Sequence, residues 1–185
     1  TRKRGETPDA DAWLIRELNA SAKERAEHVI IVDLERNDLG KICEPGSVEV
    51  ASFETIVSYP HLHHMVSTVR GKLKKDVAGS DALKAVFPGG SVTGAPKIRA
   101  MEIISELERA ERGVYTGGVG WLDFNGEMDV TMAIRTAVCK DGFLYLSVGG
   151  GIVADSEPEA EYRETLLKAR DFLDTIGIGV IITDD

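Results

Sequence analysis

Hydrophobic and polar positions divide the chain into stretches of two periods. From Pro8 to about Asn37, the spacing of Leu14 and Leu18 by four, with Pro8 and Asp9 at the start, predicts one long helical stretch or two helices in tandem. Val29-Ile30-Ile31-Val32 inside it is a β-branched run that fits a buried strand equally well; helix is preferred because the pattern before it never breaks. Pro45-Gly46 marks a turn, and strand-like runs follow over Val48 to Ser58 and Leu62 to Leu73. Ser80 to Phe87 reads as a short helix broken by Pro88-Gly89-Gly90. Ala95 to Leu107 reads as an amphipathic helix with Pro96 in its first turn. Gly117 to Phe124, Met128 to Lys140 and Phe143 to Val148 read as three strands, joined by hairpin turns at Asn125-Gly126 and Asp141-Gly142. Ser156 to about Ile176 is the last helix. Ser156 and Glu159 have capping-box spacing, and Tyr162, Leu166, Ala169, Leu173 and Ile176 form an apolar stripe.

This order predicts an α+β fold, a mainly antiparallel sheet covered by helices. With 185 residues the chain suits one domain or a large piece of one. Its 43% apolar content excludes wholesale disorder. The formal net charge of −9 argues against nucleic acid and against an anionic membrane surface, so no partner of either kind is expected. An acidic protein that handles an anionic substrate needs a metal or a few placed cations. No apolar run is long enough to span a bilayer, and Cys43 and Cys139 have no metal spacing. A reducing, cytoplasmic setting without a disulfide is the expectation.

Candidate chemistry concentrates on a few segments. Glu24 and Glu27 are three apart on the first helical region, and Glu161 and Glu164 are three apart on the last, so each pair shares a helix face. Lys168 lies one turn beyond Glu164. If the two helices face each other, the four carboxylates need a cation between them, and oxygen-only ligands suit Mg²⁺; otherwise they line solvated faces. The segment Phe87-Pro88-Gly89-Gly90-Ser91-Val92-Thr93-Gly94-Ala95-Pro96-Lys97 has P-loop glycine spacing, but Ala95 and Pro96 stand where Lys and Ser/Thr belong. It is either a tight turn or a glycine loop offering free N–H groups to an anion. Gly149-Gly150-Gly151 invites close approach to the main chain. Arg135, within the apolar run VTMAIRTAV, is either a structural ion-pair partner or a carboxylate clamp. Tyr115 could donate its hydroxyl or simply pack. His61, His63 and His64 do not make a metal cluster, because neighbours on a strand point to opposite faces; a single functional histidine fits better.

Four segments together, AEHVIIVDLERNDLGKI, FPGGSVTGAPKIRAMEIISELE, GGVGWLDFNGEMDVTMAIRT and GGGIVADSEPEAEYRET, resemble the chorismate-binding enzymes. The resemblance runs from residue 1 to about residue 176 and implies the anthranilate synthase component I-like α/β sandwich, with residues 1–185 as the C-terminal part of its catalytic domain. It implies Mg²⁺ held by Glu27 and Glu164, with Glu24 and Glu161 assisting directly or through water. It implies Tyr115, Arg135, Lys168 and the N–H groups of Gly149, Gly150 and Gly151 around the enolpyruvyl carboxylate of chorismate. Ser91 and Val92 would line the ring, with His64 beside it as a catalytic residue.

Within the family the segments FPGGSVTGAPK, HHMVST and GGGIVADS look like the aminodeoxychorismate synthase branch. Anthranilate synthases tend to show Thr at 91, Ser at 93 and Ala at 150. That branch implies amination of chorismate at C4, with a Lys adding at C2 and ammonia from a glutamine amidotransferase partner. It also implies a Pro-Ile-Lys-Gly-Thr signature whose Thr aligns with Thr1. The catalytic Lys and the general-acid Glu would then lie outside this chain. The expectation is that the 185 residues alone are inactive, with sheet edges that a complementary chain or self-association would cover.

Overall fold

Two hydroxyl caps separate the opening helices. Thr7 accepts a hydrogen bond from Ala10 N at 3.3 Å and starts α1, Pro8–Ala20, with Pro8 in its first turn. Ser21 leaves helical geometry and accepts from Glu24 N at 3.4 Å, starting α2, Ala22–Ile42. The stretch is therefore two helices in tandem. Val29 to Val32 is helical, and α2 runs five residues past the expected end at Asn37. In the computed structural model, residues 1–154 and 156–177 are described, without the side chains of Lys23, Asp171 and Thr175. They form two compact units that divide at Met101 and Glu102.

The first unit is built around a three-stranded antiparallel sheet in the order β1 (Arg2–Lys3), β3 (Leu62–Arg70), β2 (Glu49–Ser58). β2 and β3 pair from Glu49↔Arg70 to Ser58↔His63, with irregular register between Val50 and Thr55. Glu54 sits at that irregularity with φ +49, the left-handed region usual beside a bulge. Leu18, Val32, Ile42, Cys43, Met65 and Ala82 form the buried apolar core of this unit. Ala82 belongs to α3, Gly79–Val86. A single 3₁₀ turn, Gly90–Val92, precedes α4, Lys97–Leu107. Pro96 stands just before α4 and its carbonyl accepts from Ala100 N at 3.0 Å.

The second unit carries two hairpins. β4 (Gly118–Leu122) pairs with β5 (Met128–Met132), and β6 (Ala137–Lys140) pairs with β7 (Phe143–Leu146). Gly126 at φ +88 closes the first hairpin with Gly126 N donating to Asp123 O at 3.1 Å. Asp141 at φ +51 and Gly142 at φ +81 close the second, as a two-residue turn with both φ positive requires. α5, Pro158–Thr175, follows. The last residues, 178–185, lie outside the described ones.

The expected mix of helices and antiparallel strands is present, as a three-stranded sheet and two hairpins. Two expectations are corrected. The strand expected over Met128 to Lys140 is two strands, because Ala133 turns inward, buried, and hydrogen-bonds with both Thr116 and Gly117. Ser156 does not cap α5: the N-cap is Glu157 with no side-chain bond, and the Ser156 hydroxyl instead joins Val153 N to the Glu161 carboxylate.

Candidate functional site

On α2 the start of the helix is fastened to the sheet by polar contacts. Arg25 Nε donates to Glu54 Oε2 at 2.9 Å, and His28 Nε2 meets Ser67 Oγ at 2.7 Å. Ser67 Oγ also accepts from Glu54 N at 2.9 Å. Burial pushes the His28 imidazole below its ordinary value, with the Glu54 charge opposing. These bonds fix the turn that carries Glu24 and Glu27, both half-buried. Glu24 is engaged by the Arg2 guanidinium, which also grips Glu17 with Nη2 to Oε1 at 2.8 Å. The Glu17 hydrogen bond, then that of Glu24, raises Arg2.

The histidines separate as strand geometry requires. His63 is fully buried, Nε2 to Asp11 Oδ1 at 2.9 Å and Nδ1 to Ser58 Oγ at 2.8 Å. A carboxylate only accepts, so Nε2 carries the proton and Nδ1 takes the Ser58 hydroxyl in the neutral ring. Asp11 is held well below the ordinary carboxylate range, first by Arg4 and then by Gly5 N. His64 is on the other face, exposed, with Nδ1 2.7 Å from Thr1 Oγ1.

The glycine loop 87–96 lies against α2. Ser91 is exposed and Val92 half-buried. Lys97 does not serve as a phosphate ligand: its ammonium bonds to Asp38, to Pro88 O at 2.6 Å and to Val86 O at 3.4 Å. Asp38 is 0% exposed and also accepts from Lys41 Nζ at 2.7 Å. Burial works against its charge, but the bonds from Lys41 and Lys97 win and hold it below its ordinary value. Neither Asp38 nor Lys97 was singled out by the sequence reading. Ile31, Glu35, Asp38 and Ile42 recur at helical spacing, and an acid on that inward face calls for a cation; that was the available signal.

The second unit assembles most of its expected residues. Lys168 Nζ donates to Gly149 O at 3.1 Å and lies 2.8 Å from Glu164 Oε1. Glu161 is only 8% exposed; Ser156 Oγ donates to its Oε1 at 2.7 Å. A Cβ placed on Gly150 would lie 3.4 Å from Glu161 Oε2 and 3.8 Å from Thr165 Oγ1; one on Gly149 would lie 2.7 Å from Tyr115 Oη. Tyr115, Gly149, Gly150, Glu161, Glu164 and Lys168 thus surround one piece of main chain. Gly151 has open space where a side chain would go. Arg112 stacks 5.8 Å over the Tyr115 ring and pairs with Glu108.

Three residues depart from expectation. Arg135 is not within a strand: it occupies the break after β5, exposed, at φ +48. Its guanidinium therefore escapes the desolvation that a strand-interior charge would meet. The stripe on α5 is not uniformly inward either, since Tyr162 and Ile176 are exposed while Glu161 is buried. Within each unit, no group of three or more His, Cys, Asp or Glu among the described residues is placed to hold a metal ion. No described helix is long and apolar enough to cross a membrane.

Comparison with known proteins gives this geometry its context. A family model described as chorismate binding enzyme matches residues 1–174. Anthranilate synthase component 1 of Mycolicibacterium smegmatis is 49% identical over 184 residues, all of this chain and 35% of that protein. A probable chloroplastic aminodeoxychorismate synthase of Oryza sativa subsp. japonica is 51% identical over 92% of this chain and 19% of that protein. The crystal structure of anthranilate synthase component I from Streptococcus pneumoniae superposes with a TM-score of 0.83 at 41% identity, covering 92% of this chain and 41% of that one. The chain spans about a third of the length of the anthranilate synthases it matches. The two hairpins, the tandem helices and the glycine-run site are thus the C-terminal part of a shared architecture, and the chain belongs to the chorismate binding enzyme family.

Proposed function

We propose that these residues form the C-terminal part of a synthase that aminates chorismate at C4 to 4-amino-4-deoxychorismate, taking ammonia from a glutamine amidotransferase. The observation that carries the binding half of this reading is Lys168. Its ammonium is fixed between Gly149 O and Glu164, against glycine main chain that the Tyr115 hydroxyl also approaches at Gly149. A cation, a phenol and exposed backbone around glycine are the groups a carboxylate needs. Arg135, exposed in its break, supplies a planar fork for the same anion. Ser91, exposed on its loop, and Val92 are assigned to the ring, with His64 as the catalytic group beside it.

Glu27 and Glu164, with Glu24 and Glu161, are assigned to Mg²⁺. Their donors are carboxylate oxygens alone, which suits a hard cation. The Glu164 side chain is 54% exposed, and Glu161 Oε2 faces the glycine run while Oε1 is taken by Ser156. When bound, magnesium supplies charge neutralisation for the ring carboxylate. Lys168, by pairing with Glu164 at 2.8 Å, orients that carboxylate.

Choice of C4 over C2 amination rests on Ser91, Thr93 and Gly150. Space does not dictate Gly150, because a methyl there would make ordinary contacts at 3.4 Å and beyond. The alternative is anthranilate formation, favoured by the relatives named anthranilate synthase component 1 at 49–52% identity; the rice relative at 51% keeps identity from deciding. Incubating the full-length polypeptide with chorismate, ammonium and Mg²⁺ tests the choice. The expected product gives p-aminobenzoate only after a separate lyase is added. Blue-fluorescent anthranilate formed without a lyase contradicts it.

A further inference from the structure

A buried ion pair between α2 and the start of α4 has no place in the site assigned so far. Asp38 is completely enclosed and the Lys97 side chain is 11% exposed. Enclosing two charges costs several kcal/mol per ion before their attraction repays it, so such a pair is a weak source of stability. What it fixes is position. The Lys97 ammonium holds the entry of the glycine loop through Val86 O and Pro88 O, and the first residue of α4 through its own backbone. Between these points, Gly90 N donates to Glu35 Oε1 at 3.1 Å. A Cβ on Gly90 would fall 2.9 Å from Leu34 Cβ, so the loop touches the helix where only glycine fits. Thr93 Oγ1 donates back to Gly89 O at 3.0 Å. Ser91 and Val92 form the turn between these anchors, Ser91 on the exposed side.

We infer that Asp38 and Lys97 are positioning residues: their pair clamps the 87–94 loop onto α2 and sets where Ser91 and Val92 stand relative to the helix that carries Glu27. For the role of Ser91 and Val92 this rests on the functional reading above; the clamp itself does not.

The test uses the full-length polypeptide with Lys97→Met and with the paired change Asp38→Leu/Lys97→Met, which leaves no unpaired buried charge. Amide hydrogen exchange over 88–94 and steady-state kinetics with chorismate are measured. In the paired variant the melting temperature is expected to return to within about 2–4 °C of the parent. Exchange in 88–94 stays raised by about tenfold or more, with β2 and β3 unchanged, and KM for chorismate stays raised by about tenfold while kcat changes less. Loop protection and KM that recover together with melting temperature overturn the clamp, leaving the pair a stability element. A paired variant that fails to fold overturns it too, since the charges then serve folding at large. A parent that turns over no chorismate defeats the functional reading, and the exchange result still judges the clamp.

Discussion

Residues 1–101 and residues 102–177 manage apolar surface in opposite ways. In the first unit helices α1 to α3 bury Leu18, Val32, Ile42, Met65 and Ala82 against the sheet, and buried charges sit in closed networks. In the second, Ala133 is the buried apolar side chain among the described residues, while Trp121, Phe124, Phe143 and Tyr145 on the hairpins are exposed. The hairpins owe their shape to turn chemistry and ladder bonds, which hold two strands only marginally in water. The first unit carries what a core needs, and the second carries shaped edges and exposed apolar faces.

The sharpest way to break the contrast is at the buried pair. Lys97→Met leaves the enclosed Asp38 with the more exposed Lys41 as its remaining ion pair and is expected to cost about 3–5 kcal/mol, read from urea unfolding; a cost near zero would mean that Lys41 is partner enough for Asp38. Next, Leu18→Ala should cost about 2–5 kcal/mol in the 185-residue chain, whereas Phe124→Ala stays within about 0.5 kcal/mol. Equal costs would erase the difference between the units.

Acid provides a smaller effect located in the first unit. Asp11 is held below its ordinary 3.8, chiefly by Arg4, so its contribution is complete above that value and is lost as pH falls through the depressed native one. Asp11→Asn should flatten the decline in urea midpoint between about pH 5 and about pH 2. His28, kept neutral by burial, adds a contribution that is present above 6.5 and fades as pH falls below it. Its removal by His28→Gln should flatten that part of the curve. The smallest change in stability belongs to Arg135→Lys, within about 0.5 kcal/mol, since the side chain is exposed. The same variant should bind chorismate more weakly in the full-length polypeptide, because a point charge replaces a fork; normal affinity would remove Arg135 from the site.

Local rules located the helical stretch of α1 and α2, leaving its break at Ser21 open, together with the β2–β3 pair and both hairpin turns, because period and turn residues are written in the chain. The His63 and His64 split followed from strand alternation alone. The break at Ala133–Thr136 was hidden, since VTMAIRTAV keeps a strand-like composition while tertiary bonds from Thr116 and Gly117 bend it. Ser156 illustrates a spacing rule losing to a better partner, the buried Glu161 carboxylate. Asp38 and Lys97 were invisible as a pair because 59 residues separate them, and charge on a helix reads as surface until its neighbours are known.

The central proposal, that Glu164 is a magnesium ligand in chorismate chemistry, is tested most directly by a Mg²⁺ titration of Glu164→Gln in the full-length polypeptide. Loss of saturable magnesium dependence together with most of the turnover is the predicted result. A metal titration indistinguishable from that of the parent would contradict it.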